Sequence, residues 1–118
     1  MNYITKDKGI RLINKLLHEQ VRDFNSYNKI IKEKLNIKVN IPIYIDKTLI
    51  LLPIKRYNSY DCIWINYLMI NSLMELETKT IIKFKNGEIK AFNIKKKKLD
   101  RIINNANVII SYFEKMNA

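Results

Sequence analysis

Asn86-Gly87, set between two runs of alternating apolar and polar residues, constrains this chain more than any other feature. The pair favours a type I′ turn, so Thr80 to Ile94 is expected to form an antiparallel hairpin. A two-residue loop would place Lys85 opposite Glu88, Phe84 opposite Ile89, Lys83 opposite Lys90 and Ile82 opposite Ala91. Ile82, Phe84, Ile89 and Ala91 then share the core side. Lys83, Lys85 and Lys90 crowd the other, with Glu88 as the ion-pair neighbour of Lys85. Opposed like charges destabilise a sheet, so this pairing points to an anion over that face.

Helical spacing brackets the hairpin. Ile10, Ile13, Leu17, Val21, Phe24, Ile31 and Leu35 recur at three- and four-residue steps, with Arg11, Lys15, Glu19 and Arg22 on the opposite face. This predicts helix over 8–35, as one element or as two with a cap at Asn25-Ser26. From Ile41 the period shortens. Ile41, Ile43 and Ile45 alternate around Pro42 and Tyr44, which reads as an edge strand because proline donates nothing to a ladder. Thr48 to Leu52, ending at Pro53, and Cys62 to Ile70 are continuous apolar runs expected as strands buried on both faces. Leu99, Ile102, Ile103, Ala106, Ile110 and Phe113 form the stripe of a last helix, 95–115. The expected class is α+β: a small antiparallel sheet of about four to five strands with N- and C-terminal helices packed on it. The 118 residues, with two Gly, two Pro and no linker or repeat, read as a single domain, 1–118.

Charge gives the first functional lead. The chain carries a net +11, yet the codons of its abundant Ile, Lys and Asn are AT-rich, so basicity counts only where it is concentrated. Residues 79–101 hold nine positive and two negative charges, whereas 62–78 contain Glu75 and Glu77 and no Lys or Arg. Lys95, Lys96, Lys97 and Lys98 occupy the first turn of the last helix, where the dipole favours acids. A bound phosphate would reconcile lysines and free N–H groups at that end. The plainer reading is four lysines spread into water.

Several classes are excluded or disfavoured. One cysteine, Cys62, permits no internal disulfide, and with one His it excludes the usual zinc cages. No apolar run approaches the ~20 residues of a membrane span. Met1 to Lys15 lacks a signal-peptide core, so a cytoplasmic protein without a membrane partner is expected. Cys62 with His18 makes a poor nucleophilic pair, because Cys62 opens an apolar strand and His18 flanks a polar helix face. Trp64 sits among apolar residues and reads as core. Tyr57 and Tyr60, in a polar loop after Lys55 and Arg56, suit sugar–phosphate contact or fold back on the core. Glu88-Ile89-Lys90 matches half of a metal-dependent nuclease site, which would need an Asp such as Asp46 or Asp61.

From Pro42-Ile43-Tyr44-Ile45-Asp46, through the strand ending at Pro53, to Cys62-Ile63-Trp64-Ile65 and Thr80-Ile81-Ile82-Lys83-Phe84-Lys85-Asn86-Gly87, the chain resembles the ComK family of competence transcription factors. Ser26-Tyr27 and the final helix extend the likeness to roughly 26–113, with the N-terminal helix of 1–25 outside it. Ile54 and Lys55 stand where the family usually has Thr and Ser. Family members also carry extra strand-like sequence at the start and a C-terminal tail linked to activation and adaptor–protease recognition, neither expected here. The resemblance implies a bacterial, oligomeric regulator that reads AT-rich duplex DNA, largely through the minor groove, without a cofactor.

The expected function is therefore transcription regulation by a basic, DNA-binding, ComK-like protein. Lys83, Lys85, Lys90, Lys95, Lys96, Lys97, Lys98 and Arg101 would neutralise phosphate, and Asn86 with Arg56 would reach into a groove. A second reading is a mobile-element interaction protein whose basic face binds a host regulatory protein or a ribonucleoprotein complex. A small metal-dependent nuclease is the third. No catalytic residue and no metal site is assigned.

Overall fold

The structure, a computed structural model, describes residues 1–4, 9–20, 22–55 and 62–116, with the backbone alone for residues 9 and 10. Strand β1 (Tyr3–Ile4) is followed by helices α1 (Gly9–Glu19) and α2 (Phe24–Leu35). The expected 8–35 helix is thus two helices. The cap is Asp23, whose Oδ1 accepts the Ser26 N–H at 2.9 Å, and not Asn25-Ser26. Asn36, at φ 57°, ends α2 in the left-handed region.

Strands β2 (Ile43–Asp46), β3 (Leu49–Pro53) and β4 (Trp64–Asn66) join β1 in an antiparallel sheet ordered β1-β4-β3-β2. The run from Cys62 to Ile70 is not one strand. A 3₁₀ turn, Tyr67–Met69, interrupts it, and Asn66 caps that turn by accepting the Leu68 N–H at 3.2 Å. The chain there passes into a second sheet, β5 (Ile70–Leu76), β6 (Lys79–Phe84) and β7 (Ile89–Phe92), ordered β5-β6-β7. Helix α3 (Lys96–Met116) follows. The α+β arrangement with helices from both ends holds, its strands divided between two sheets.

The hairpin forms, but its register is offset by one residue. Lys83 pairs with Ile89 and Ile82 with Lys90. The cause is the loop: the Phe84 N–H donates to Glu88 O at 2.8 Å and the Gly87 N–H to Phe84 O at 3.0 Å, enclosing Lys85, Asn86 and Gly87. Gly87, at φ 92°, supplies the left-handed residue of a bulged three-residue loop. A one-residue slip turns every β7 side chain over. Ile89 and Ala91 are therefore exposed, Lys90 shares the face of Ile82, and Lys83 and Lys90 are not opposed.

The core lies between the sheets and the helices. Ile13 and Leu17 of α1, Ile31 of α2, Leu51 and Leu52 of β3, Ile65, Ile82 and Leu99 are fully enclosed, each worth about 1.5–3 kcal/mol on removal from water. Trp64 is core, edge-on to Phe24 at 6.3 Å. Tyr27 ties α2 to β2: its hydroxyl donates to Pro42 O at 2.8 Å and accepts the Tyr44 N–H at 2.9 Å. Burial pushes the Tyr27 hydroxyl's pKa well above its usual value, with the Tyr44 N–H a smaller opposing effect. Phe113 of α3 stacks on Tyr44 at 4.7 Å, which closes the third helix against the first sheet.

Candidate nucleic-acid interface

The end of β3, the β5–β6 turn and the β7–α3 junction meet around one cleft of about 550 Å³. Lys55, Thr78, Asn93, Lys95, Lys97, Lys98 and Arg101 line it over an apolar floor of Ile54 and Ile94, with no acid among the lining residues. The chain converges here for local reasons. Leu76 pairs with Lys79, so Glu77-Thr78 forms a two-residue turn, with Glu77 in the left-handed region at φ 55°. Thr80 pairs with Phe92, which brings the exit of β7 to the same end of the sheet. Buried Thr80 fixes that exit, its hydroxyl donating to Ile94 O at 2.7 Å.

Helix α3 then starts at the cleft with no acid in its first turn. The Lys98 and Leu99 N–H groups each reach Lys95 O at 3.1 Å, and the N–H groups before them have no carbonyl within the helix. Lysine side chains and the positive pole of a 21-residue helix thus face one opening.

The four lysines are not equivalent. Lys96 bonds Asp100 one turn on, Nζ to Oδ2 at 3.0 Å, and does not line the cleft. The hairpin lysines lie apart from this junction. Lys85 and Asn86 occupy the far tip, about 17 Å away along a six-residue strand. Lys83 is exposed on the outer sheet face between Ser72 and Ile89. Lys90 donates to the Tyr3 hydroxyl at 3.2 Å, its ammonium 4.8 Å from that ring's centre. Arg56, with Tyr57 and Tyr60, lies outside the described residues, directly after Lys55 of the cleft.

Asn86 and Glu88 have structural partners. The Asn2 amide donates to Asn86 Oδ1 at 3.1 Å and to Glu88 Oε1 at 2.6 Å. The Tyr3 hydroxyl approaches Glu88 Oε2 at 3.4 Å. This clasp, rather than Lys85, is what Glu88 meets. No group of three His, Cys, Asp or Glu side chains able to hold a metal occurs among the described residues. Asp46 accepts the Thr48 N–H at 2.7 Å within its own turn, and Asp61 is outside the described residues. Cys62 is buried and His18 exposed.

Sequence reasoning missed Lys55, Thr78 and Asn93 as members of one site. Lys55 lies forty residues before Lys95, and the sequence ties it only to Arg56 and the tyrosines of the following loop. Thr78 and Asn93 were deducible in principle, since a hairpin following a turn returns its exit to that turn.

The sequence pattern of ComK proteins matches residues 1–117. The chain belongs to the ComK family. The match begins at residue 1, so the N-terminal helix read as outside the likeness lies within it. No curated protein and no solved structure matches the chain. The family is one of competence transcription factors and not of enzymes. In this ComK-family chain, no helix among the described residues is long and apolar enough to cross a membrane.

Proposed function

We propose that this protein is a cytoplasmic transcriptional regulator that binds AT-rich double-stranded DNA as an oligomer, with the cleft at the start of α3 as its principal phosphate contact. The observation that carries this reading is the acid-free cleft, where five cations surround the N-terminus of α3. A phosphate seated there would accept from backbone N–H groups and from Lys95, Lys97, Lys98 and Arg101 together. Lys55, and Arg56 beyond it, would follow the backbone toward a minor groove, whose narrowing in A-tracts deepens its negative potential. Lys83, Lys85 and Lys90 would add weaker, long-range attraction from the hairpin. Lys96, paired with Asp100, contributes least.

Selection of bound fragments from a genomic DNA pool tests the reading. Enrichment of one AT-rich motif is expected. Binding without enrichment would overturn the regulator and leave a basic face that engages a host protein or ribonucleoprotein.

A further inference from the structure

Strand β5 is the longest strand among the described residues and forms an edge of its sheet, hydrogen-bonded to β6 on one side. Five of its seven residues are exposed, among them Met74 at 63 % and Leu76 at 51 %. Natural edges of this length are usually blunted by lysine, proline or a bulge. Strand β5 has neither lysine nor proline, and its register irregularity lies at its start, between Ile70 and Ser72. The other edges differ. Strand β1 is two residues long, β2 is mostly buried, and β7 carries Lys90 and is four residues long.

The charge of this segment is equally distinctive. In a chain of net +11, residues 62–78 hold Glu75 and Glu77 and no cation. Phosphate is repelled from such a strand. The remaining net charge of the chain is positive, so two copies meet at low electrostatic cost through this cation-free segment.

We propose that β5 is the self-association edge of this protein, two copies pairing antiparallel through it about a two-fold axis. With Leu73 opposite itself, Met74 faces Ser72 and Glu75 falls opposite the irregular Asn71, so no like charges oppose each other across the seam. The product is one continuous six-stranded sheet, β7-β6-β5-β5-β6-β7. The axis at Leu73 puts the two α3 clefts, each beyond the Leu76 end of its own β5, at opposite ends of the seam. This assigns a surface to the oligomer in the reading above and is tested without DNA.

Light scattering on the free full-length protein, from micromolar to sub-millimolar concentration, should approach twice the 14.1 kDa chain mass. The doubly substituted Met74→Lys, Leu76→Lys chain should remain at the single-chain mass with an unchanged circular dichroism spectrum. A wild-type chain that stays monomeric throughout overturns the pairing. A substituted chain that still dimerises moves the contact off β5. If the substituted chain does not fold, hydrogen exchange on the wild type decides: β5 amides must gain protection as concentration rises, and their indifference refutes the assignment. DNA affinity measured on the same samples reports separately on the cleft.

Discussion

Replacing Lys95, Lys97 and Lys98 together by Gln separates the two roles that lysines at a helix N-terminus can have. If each neutralises one phosphate, the slope of log affinity against log salt should flatten by about 2.7, from ~0.9 per phosphate. Over a fourfold rise in salt that is roughly 40-fold less loss of affinity. Folding stability should move the other way. These side chains are exposed, and they sit at the positive pole of α3, where each lysine is unfavourable by roughly a few tenths of a kcal/mol. The free variant should therefore be as stable as the parent or slightly more so. Lys96→Gln is the internal control, because Asp100 already holds that ammonium at 3.0 Å, and it should change the slope by well under one unit. Fluorescence anisotropy on an AT-rich duplex across a salt series gives the slopes, and urea denaturation the stabilities. An unchanged slope in the triple variant would refute the cleft as the phosphate site. A stability loss beyond about 1 kcal/mol would make the lysines structural instead.

Tyr27→Phe should cost about 2–4 kcal/mol in urea denaturation, because Pro42 C=O and the Tyr44 N–H both lose their partner inside the core. Gly87→Ala should cost about 1–2 kcal/mol: nothing lies within 4 Å of the added methyl, so the penalty is the left-handed φ of 92°, and Gly87→Asn should cost less. Acid should weaken the fold in a defined window. The Ser26 N–H holds the Asp23 carboxyl below its ordinary 3.8, and Thr48 does the same for Asp46. That stabilisation is complete above the ordinary value and is lost as pH falls through the lowered ones. Denaturation midpoints across the acid range should show a smaller decline in Asp23→Asn.

The hairpin was legible in the sequence and its register was not, because Asn-Gly suits both a two-residue turn and a bulged three-residue loop. Choosing between them decides which side of β7 is wet, and nothing local to Lys85-Asn86-Gly87-Glu88 makes that choice. The clasp of Asn2 on Asn86 and Glu88 accompanies the observed loop from the other end of the chain. The two-residue turn of this sheet lies at Glu77-Thr78, where a glutamate at φ 55° gives no turn signal at all. Strand β5 was invisible for a related reason: Ile-Asn-Ser-Leu-Met-Glu-Leu has no regular alternation, since an edge strand with exposed apolar residues need not obey one. The charge maximum at 79–101 pointed to the start of α3, where the acid-free cleft lies. It could not separate Lys95, Lys97 and Lys98 from Lys96 or from the hairpin, because charge counts carry no direction. Asp100 and the fold of the sheet make that division.

The N-terminal clasp sets an order of events. Tyr3 pairs with Ile65, and the Asn66 amide donates to Met1 O at 3.0 Å, so β1 has no partner until some sixty more residues have been made. Asn2 waits longer still, for residues 86 and 88. On a ribosome β1 must then remain unpaired until residues 64–66 have emerged, while α1, α2 and the β2–β3 pair have the contacts to form early. Closing so long a loop is slow relative to local pairing. The two sheets are stitched together by residues more than eighty positions apart in the chain.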